Sequence, residues 1–210
     1  MIRSTLVTDG SSDRVLTRVI DWTLWESGVR SELISQWADL RGIRVRPVGL
    51  RSIILKALDL YPCDLLFIHR DAESQTPQDR LLEIAVALAG CERPPHVPVV
   101  PVRMQESWLL CDEKAIRLAA GNPNSTVPLT LPRRNAIERI ADPKALVFSL
   151  LRTASGRQGR KLQQFNVEFA RTQICEQMAD MSVLRALPSF VAFESAVRIA
   201  VAANHLDRWP

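Results

Sequence analysis

Four acids in three short segments could together hold a hard cation. Asp9 lies in Thr5-Leu-Val-Thr-Asp-Gly-Ser-Ser-Asp-Arg-Val-Leu16. Asp71 and Glu73 lie in Leu65-Leu-Phe-Ile-His-Arg-Asp-Ala-Glu-Ser74, and Glu106 in Val99-Val-Pro-Val-Arg-Met-Gln-Glu-Ser-Trp-Leu-Leu110. Each acid follows an apolar run that reads as a strand. In a parallel sheet the residues just past the carboxyl ends of the strands share one crevice, and ligands bind there. Mg²⁺ or Mn²⁺ would take carboxylate oxygens in such a crevice, with phosphate as a further ligand. Such an ion polarises a phosphoryl oxygen and lowers the pKa of bound water. Asp71 and Glu73 are the expected metal ligands. Asp9 would bind metal or orient the attacking water, and Glu106 would complete the shell or act as base.

Each segment also has a plainer reading. Asp9-Gly10 is a turn signal, and Asp13 one helical turn later suits a helix dipole. Asp71 and Glu73 can turn toward one cation if the chain between them stays extended, or form a solvated loop pair. His69 and Arg70 could support the site or contact phosphate. Glu106 is either a helix N-terminal acid or a carboxylate aimed into a cleft. Arg103, just before it, could pair with it or with a phosphate. The loop Ser155-Gly-Arg-Gln-Gly-Arg-Lys161 holds Arg157, Arg160 and Lys161. It reads as a solvated basic face or as a track for a phosphate backbone.

The elements that must carry these residues can be read from periodicity. Thr5–Thr8 is β-prone, and a helix follows from Ser11 or Ser12 to about Ser27, with Val15, Leu16, Val19, Ile20 and Leu24 on one stripe. Gly42–Val48 alternates apolar and basic residues and reads as an edge strand. Arg51–Tyr61 is helical, and Asp64–Ile68 is an interior strand. Pro77–Gly90 is a helix bounded by suitable first-turn and terminal residues. Val97–Val102, with two prolines, is an edge-like strand, and Glu106 starts a short helix. This β-α-β-α-β-α-β order predicts an α/β fold with an open, mostly parallel sheet flanked by helices. After about Gly121 the pattern becomes helical, and the apolar Pro188–Asn204 helix should return to the sheet. The expected division is an α/β domain over residues 1–120 and a helical C-terminal part over 121–210.

The chain has 210 residues, 47% hydrophobic and 24% charged, with a net charge of +4. These values fit a globular protein and permit, without requiring, a DNA or RNA partner. No Walker-type or dinucleotide-binding glycine loop occurs. Cys63, Cys91, Cys111 and Cys175 form no CxxC pair, so free thiols in a reducing compartment are expected. No signal-peptide core and no run of about 20 apolar residues is found. A cytoplasmic protein without membrane association is the expectation. The tryptophans, mostly on predicted helices, suit a core or a subunit interface, including one between copies of the chain.

Taken together, these motifs resemble the Toprim fold, the catalytic domain of topoisomerases, primases and the overcoming-lysogenization-defect nucleases. Thr8-Asp-Gly-Ser-Ser-Asp13 is similar to the family's Glu-Gly-x-x-Asp, with Asp9 in place of Glu. Asp71-Ala-Glu73 is similar to its Asp-x-Asp, with Glu73 replacing the second Asp. A second registration, His69-Arg-Asp71, would put a histidine in an acid's place. Glu106-Ser-Trp-Leu-Leu110, Asp142-Pro-Lys144 and Leu187-Pro-Ser-Phe190 resemble a bacterial group of small Toprim-like proteins of unknown function. The resemblance implies Mg²⁺- or Mn²⁺-dependent nuclease action on DNA or RNA, with a role in phage defence and an ATPase partner. It would assign phosphate contacts to Arg70, Arg103, Arg157, Arg160 and Lys161. Its alternative is a non-catalytic subunit with a degenerate site, binding nucleic acid or a protein. Salt-bridged, separated acids would favour that alternative.

Overall fold

A computed structural model describes residues 1–206 and shows an α/β fold. Its sheet has four parallel strands: β1 (Ile2–Val7), β2 (Leu33–Trp37), β3 (Leu65–His69) and β4 (His96–Val99), in the order β2-β1-β3-β4. Helices α1 (Leu16–Glu26), α2 (Leu50–Leu60) and α3 (Pro77–Leu88) connect them in turn. The chain divides into two compact units. The first joins residues 1–100 to the segment from Ala192 onward, and the second spans Pro101–Val191. Residues 101–120 thus group with the helices that follow them.

In the first unit, β3 is buried along its whole length, as an interior strand of apolar residues must be. Its side chains alternate between two faces. Leu66 and Ile68, with Val7 of β1, pack with Ile54 and Ala57 of α2 and with Ile84, Ala87 and Leu88 of α3. Phe67 points the other way and meets Phe193 edge-to-face, with ring centroids 6.3 Å apart. Phe193 lies on α9 (Pro188–Ala203), so the expected return of this helix to the sheet is observed. Helix α3 begins with a capping box: Thr76 Oγ1 accepts from the Asp79 amide and Asp79 Oδ2 accepts from the Thr76 amide.

One strand lies elsewhere than expected. The second strand is Leu33–Trp37, paired with β1, while Gly42–Val48 is irregular. Within 42–48 Pro47 lacks an amide donor, and Val45 and Val48 are exposed. An edge strand such as β2 is half-buried, and its Ser35 and Gln36 broke the apolar pattern in the sequence.

The second unit contains α4 (Glu106–Leu109), α5 (Glu113–Ala119), α6 (Pro143–Ser155), α7 (Gly159–Gln163), α8 (Val167–Gln177) and the first turn of α9. The two segments with Trp-Leu-Leu and Leu-Pro-Ser-Phe meet here. Trp108 is fully buried and packs edge-to-face on Phe190 at 5.4 Å, and its Nε1–H donates to Ser189 Oγ at 2.9 Å. A buried indole needs such an acceptor. No helix among the described residues is long and apolar enough to cross a membrane.

Candidate functional site

The strand order reverses between β1 and β3, because the chain leaves β1 toward β2 and leaves β3 toward β4. The crevice at that reversal is where open α/β sheets bind ligands. Two loops frame it. After β1, Thr8-Asp9-Gly10 leads into a 3-10 turn over Ser11–Val15. After β3, His69 ends the strand and Arg70-Asp71-Ala72-Glu73 turns toward α3.

Asp13, His69 and Asp71 converge there. His69 is 2% exposed. Its Nδ1–H donates to the Val99 carbonyl at 3.0 Å, which leaves Nε2 facing Asp71 Oδ1 at 3.3 Å and Asp13 Oδ2 at 3.9 Å. A neutral ring would set a lone pair against two carboxylates, so a proton on Nε2 is the favoured state. Burial alone would lower the His69 pKa. Asp71, Asp13 and the Val99 carbonyl outweigh it and raise the pKa above the usual histidine value. Asp13 is buried, and its carboxylate accepts from the Gly10 amide at 3.3 Å and from Ser12 Oγ at 2.7 Å.

Beside this cluster runs an ion-pair chain. Arg70 joins Asp9 through Nη1 and Glu83 through Nη2, the latter at 3.0 Å. Arg80 joins Glu83 at 2.8 Å and Glu73 at 3.2 Å, and its Nε–H donates to the Asp71 carbonyl at 2.9 Å. Arg80 is thereby a positioning residue for the Asp71 loop.

The expected grouping of Asp9, Asp71 and Glu73 around one cation is not what these contacts build. The chain after Asp71 is not extended. Glu73 adopts a left-handed conformation, φ 54°, which delivers its carboxylate to Arg80. Asp9 is engaged by Arg70, so Arg70 itself is not free for phosphate as it stands. Among the described residues, no group of three or more His, Cys, Asp or Glu side chains forms a ready-made metal cage. Mg²⁺ often needs only one or two carboxylates plus phosphate oxygens and water. Asp71 and Asp13 are the carboxylates that face this crevice, both toward His69 Nε2, while Asp9 is held by Arg70.

Of the remaining residues, Glu106 is 3% exposed and accepts from Arg171 Nη1 at 3.0 Å within the second unit. It is the N-terminal acid of α4, in a buried ion pair. Arg103 occupies a turn with φ 64°. Arg157 lies over the Phe165 ring at 4.9 Å, while Arg160 and Lys161 are exposed on α7. Arg152 and Arg157 line a cleft of about 290 Å³ in that unit.

Sequence reasoning gave His69 and Asp13 secondary parts. The signal for both was present in the second registration, His69-Arg-Asp71, and in the acid four residues after Asp9. Arg80 and Glu83 carried no local signal, because their role depends on α3 folding back over the loop. No family model, no curated protein and no solved structure matches this chain.

Proposed function

We propose that the chain is a Toprim-like protein that hydrolyses nucleic-acid phosphodiesters with the aid of Mg²⁺ or Mn²⁺ at the carboxyl ends of β1 and β3. The observation that supports this reading is the buried imidazole of His69, set between Asp13 and Asp71 at the sheet's reversal point. Titratable groups arranged in this way in a crevice mark functional sites.

Asp71 and Asp13 would hold the ion, which when bound would neutralise phosphate charge and acidify water. The chain's own residues do the rest. His69, whose Nε2 faces both carboxylates, would orient them toward the crevice. The Val99 carbonyl fixes the ring and its tautomer. Arg80 holds the Asp71 backbone in place. Arg70 keeps the charge of Asp9 balanced at the edge of the crevice.

The test is cleavage of supercoiled plasmid and single-stranded substrates by wild type and Asp71→Asn in Mg²⁺, Mn²⁺ and EDTA. Metal-dependent cleavage that Asp71→Asn abolishes supports the proposal. No cleavage by folded wild type overturns it.

A second reading has its own observation. Asp9 and Glu73 already have guanidinium partners in Arg70 and Arg80, the pattern of a non-catalytic binding subunit. On that reading the wild type binds nucleic acid equally well with and without divalent ions and cuts nothing.

A further inference from the structure

A cleft of about 180 Å³ opens in the first unit beside the carboxyl ends of β1 and β2. One wall is the Thr8–Ser11 loop. The other is formed by Trp37, Leu40 and Pro47, with Ile53 of α2 also lining it. Its polar edge carries Arg41 and Arg46.

Three features make this more than a surface dent. First, the indole is oriented: Trp37 Nε1–H donates to Thr8 Oγ1 at 2.9 Å, and Thr8 Oγ1–H donates to the Gly10 carbonyl at 2.7 Å. Second, the Arg41 guanidinium lies over that ring, 5.1 Å from its centroid, and is held by Asp39 at 2.6 Å. The cleft is thus lined by an indole and a guanidinium, both groups that can stack on bases. Third, Arg46 is exposed and forms no ion pair with any described residue. The one acid in the wall, Asp9, would repel a phosphate, but Arg70 balances its charge.

The cleft also adjoins the site at the sheet end. Gly10, which lines the cleft, donates its amide to Asp13 Oδ2.

We infer that this cleft takes one nucleotide of a single-stranded nucleic acid, the base against the Trp37–Arg41 wall and a phosphate on Arg46. The inference rests on the reading of the sheet end as a phosphodiester site and adds the strandedness of its substrate. A base stacked and paired in a duplex presents only its edges, so it reaches an apolar wall only after leaving the stack.

The experiment is fluorescence anisotropy of a labelled mixed-sequence single-stranded DNA oligonucleotide, and of the same sequence as duplex, in EDTA. Wild type is compared with Trp37→Leu and with Arg46→Ala, the latter an exposed loop change that leaves the fold intact. Wild type should bind the single strand more tightly than the duplex. Trp37→Leu should weaken single-strand binding roughly 5- to 150-fold, the range for losing one base stack. Arg46→Ala should reduce the slope of log affinity against log salt by about 0.7. The inference is overturned if both variants bind like wild type, if the duplex binds equally well, or if no oligonucleotide binds. Because EDTA removes any metal-dependent cleavage, the two ideas separate. Arg46-dependent binding without cleavage in Mg²⁺ or Mn²⁺ sinks only the hydrolytic reading. Cleavage with unaffected variants sinks only the cleft.

Discussion

His69 presents Nε2 to Asp71 Oδ1 at 3.3 Å while its Nδ1–H is committed to the Val99 carbonyl. That arrangement favours a proton on Nε2, and the two carboxylates and the Val99 carbonyl raise the ring's pKa in spite of burial. A raised folded-state pKa has a defined consequence for stability. The contribution is complete below the unfolded value of about 6.5 and is lost as pH rises through the higher folded value. Urea denaturation in EDTA across this range should show wild-type stability falling with pH in that window. His69→Gln should lack this fall. Parallel pH profiles for the two proteins would mean that the ring is neutral in the fold.

The rim acids and the central acid should behave differently. Asp71 faces His69, whereas Glu73 is largely exposed and turned onto Arg80. If the chain hydrolyses phosphodiesters, Asp71→Asn should lower the rate by about 10²-fold or more, the scale of losing one electrostatic group from a catalytic centre. Glu73→Ala should lower it by less than about tenfold, since it removes an exposed ion pair of small energetic value. Single-turnover cleavage rates decide this, and equal losses would restore Glu73 to the centre.

The contrast shows how much of the site was legible in the sequence. The sheet was readable because Leu65-Leu-Phe-Ile68 is a continuous apolar run and β1 ends in the β-prone Thr5-Leu-Val7, each followed by a polar loop, and that fixed which loops share the crevice. The registration within the second loop was not readable. Whether Asp71 pairs with Glu73 or with His69 depends on the turn at Glu73, and that turn accompanies the reach of Arg80 from α3. Nothing in Asp-Ala-Glu encodes a guanidinium seven residues further on. The same limit applied to Gly42–Val48, whose alternation imitated a strand although the pairing partner of β1 was Leu33–Trp37. Glu106 beside Trp108 left two readings open because its partner, Arg171, is distant in sequence.

The cysteines offer an independent check on burial. Burial pushes the Cys111 thiol up to about 12, and burial also raises the Cys63 thiol. Only the thiolate reacts at an appreciable rate with alkylating agents. In the native protein at pH 8, Cys111 should therefore label at least about tenfold more slowly than a free thiol of ordinary pKa near 8.5. In urea it should label at the ordinary rate. Mass-spectrometric mapping of iodoacetamide adducts over time measures this, and rapid native labelling of Cys111 would contradict its placement after α4.

Glu106 and Arg171 make the sharpest test of whether an acid expected to be catalytic is instead structural. Both side chains are almost fully buried, and Arg171 also has Glu168 Oε2 at 3.5 Å from its Nε. Removing one member of such a pair strands the other in a low-dielectric setting and costs about 3–5 kcal/mol. Arg171→Met should therefore destabilise the protein strongly. Glu106→Gln keeps an acceptor for the guanidinium, but it leaves Arg171 with only the more exposed Glu168 as a carboxylate partner, so an intermediate loss is expected. The double variant Glu106→Gln, Arg171→Met should lose less than the sum of the single changes, because neither charge remains to be stranded. Urea denaturation of the four proteins gives the coupling. Additive losses would show that the pair is not energetically linked. Loss of cleavage in Glu106→Gln with stability unchanged would return this carboxylate to catalysis.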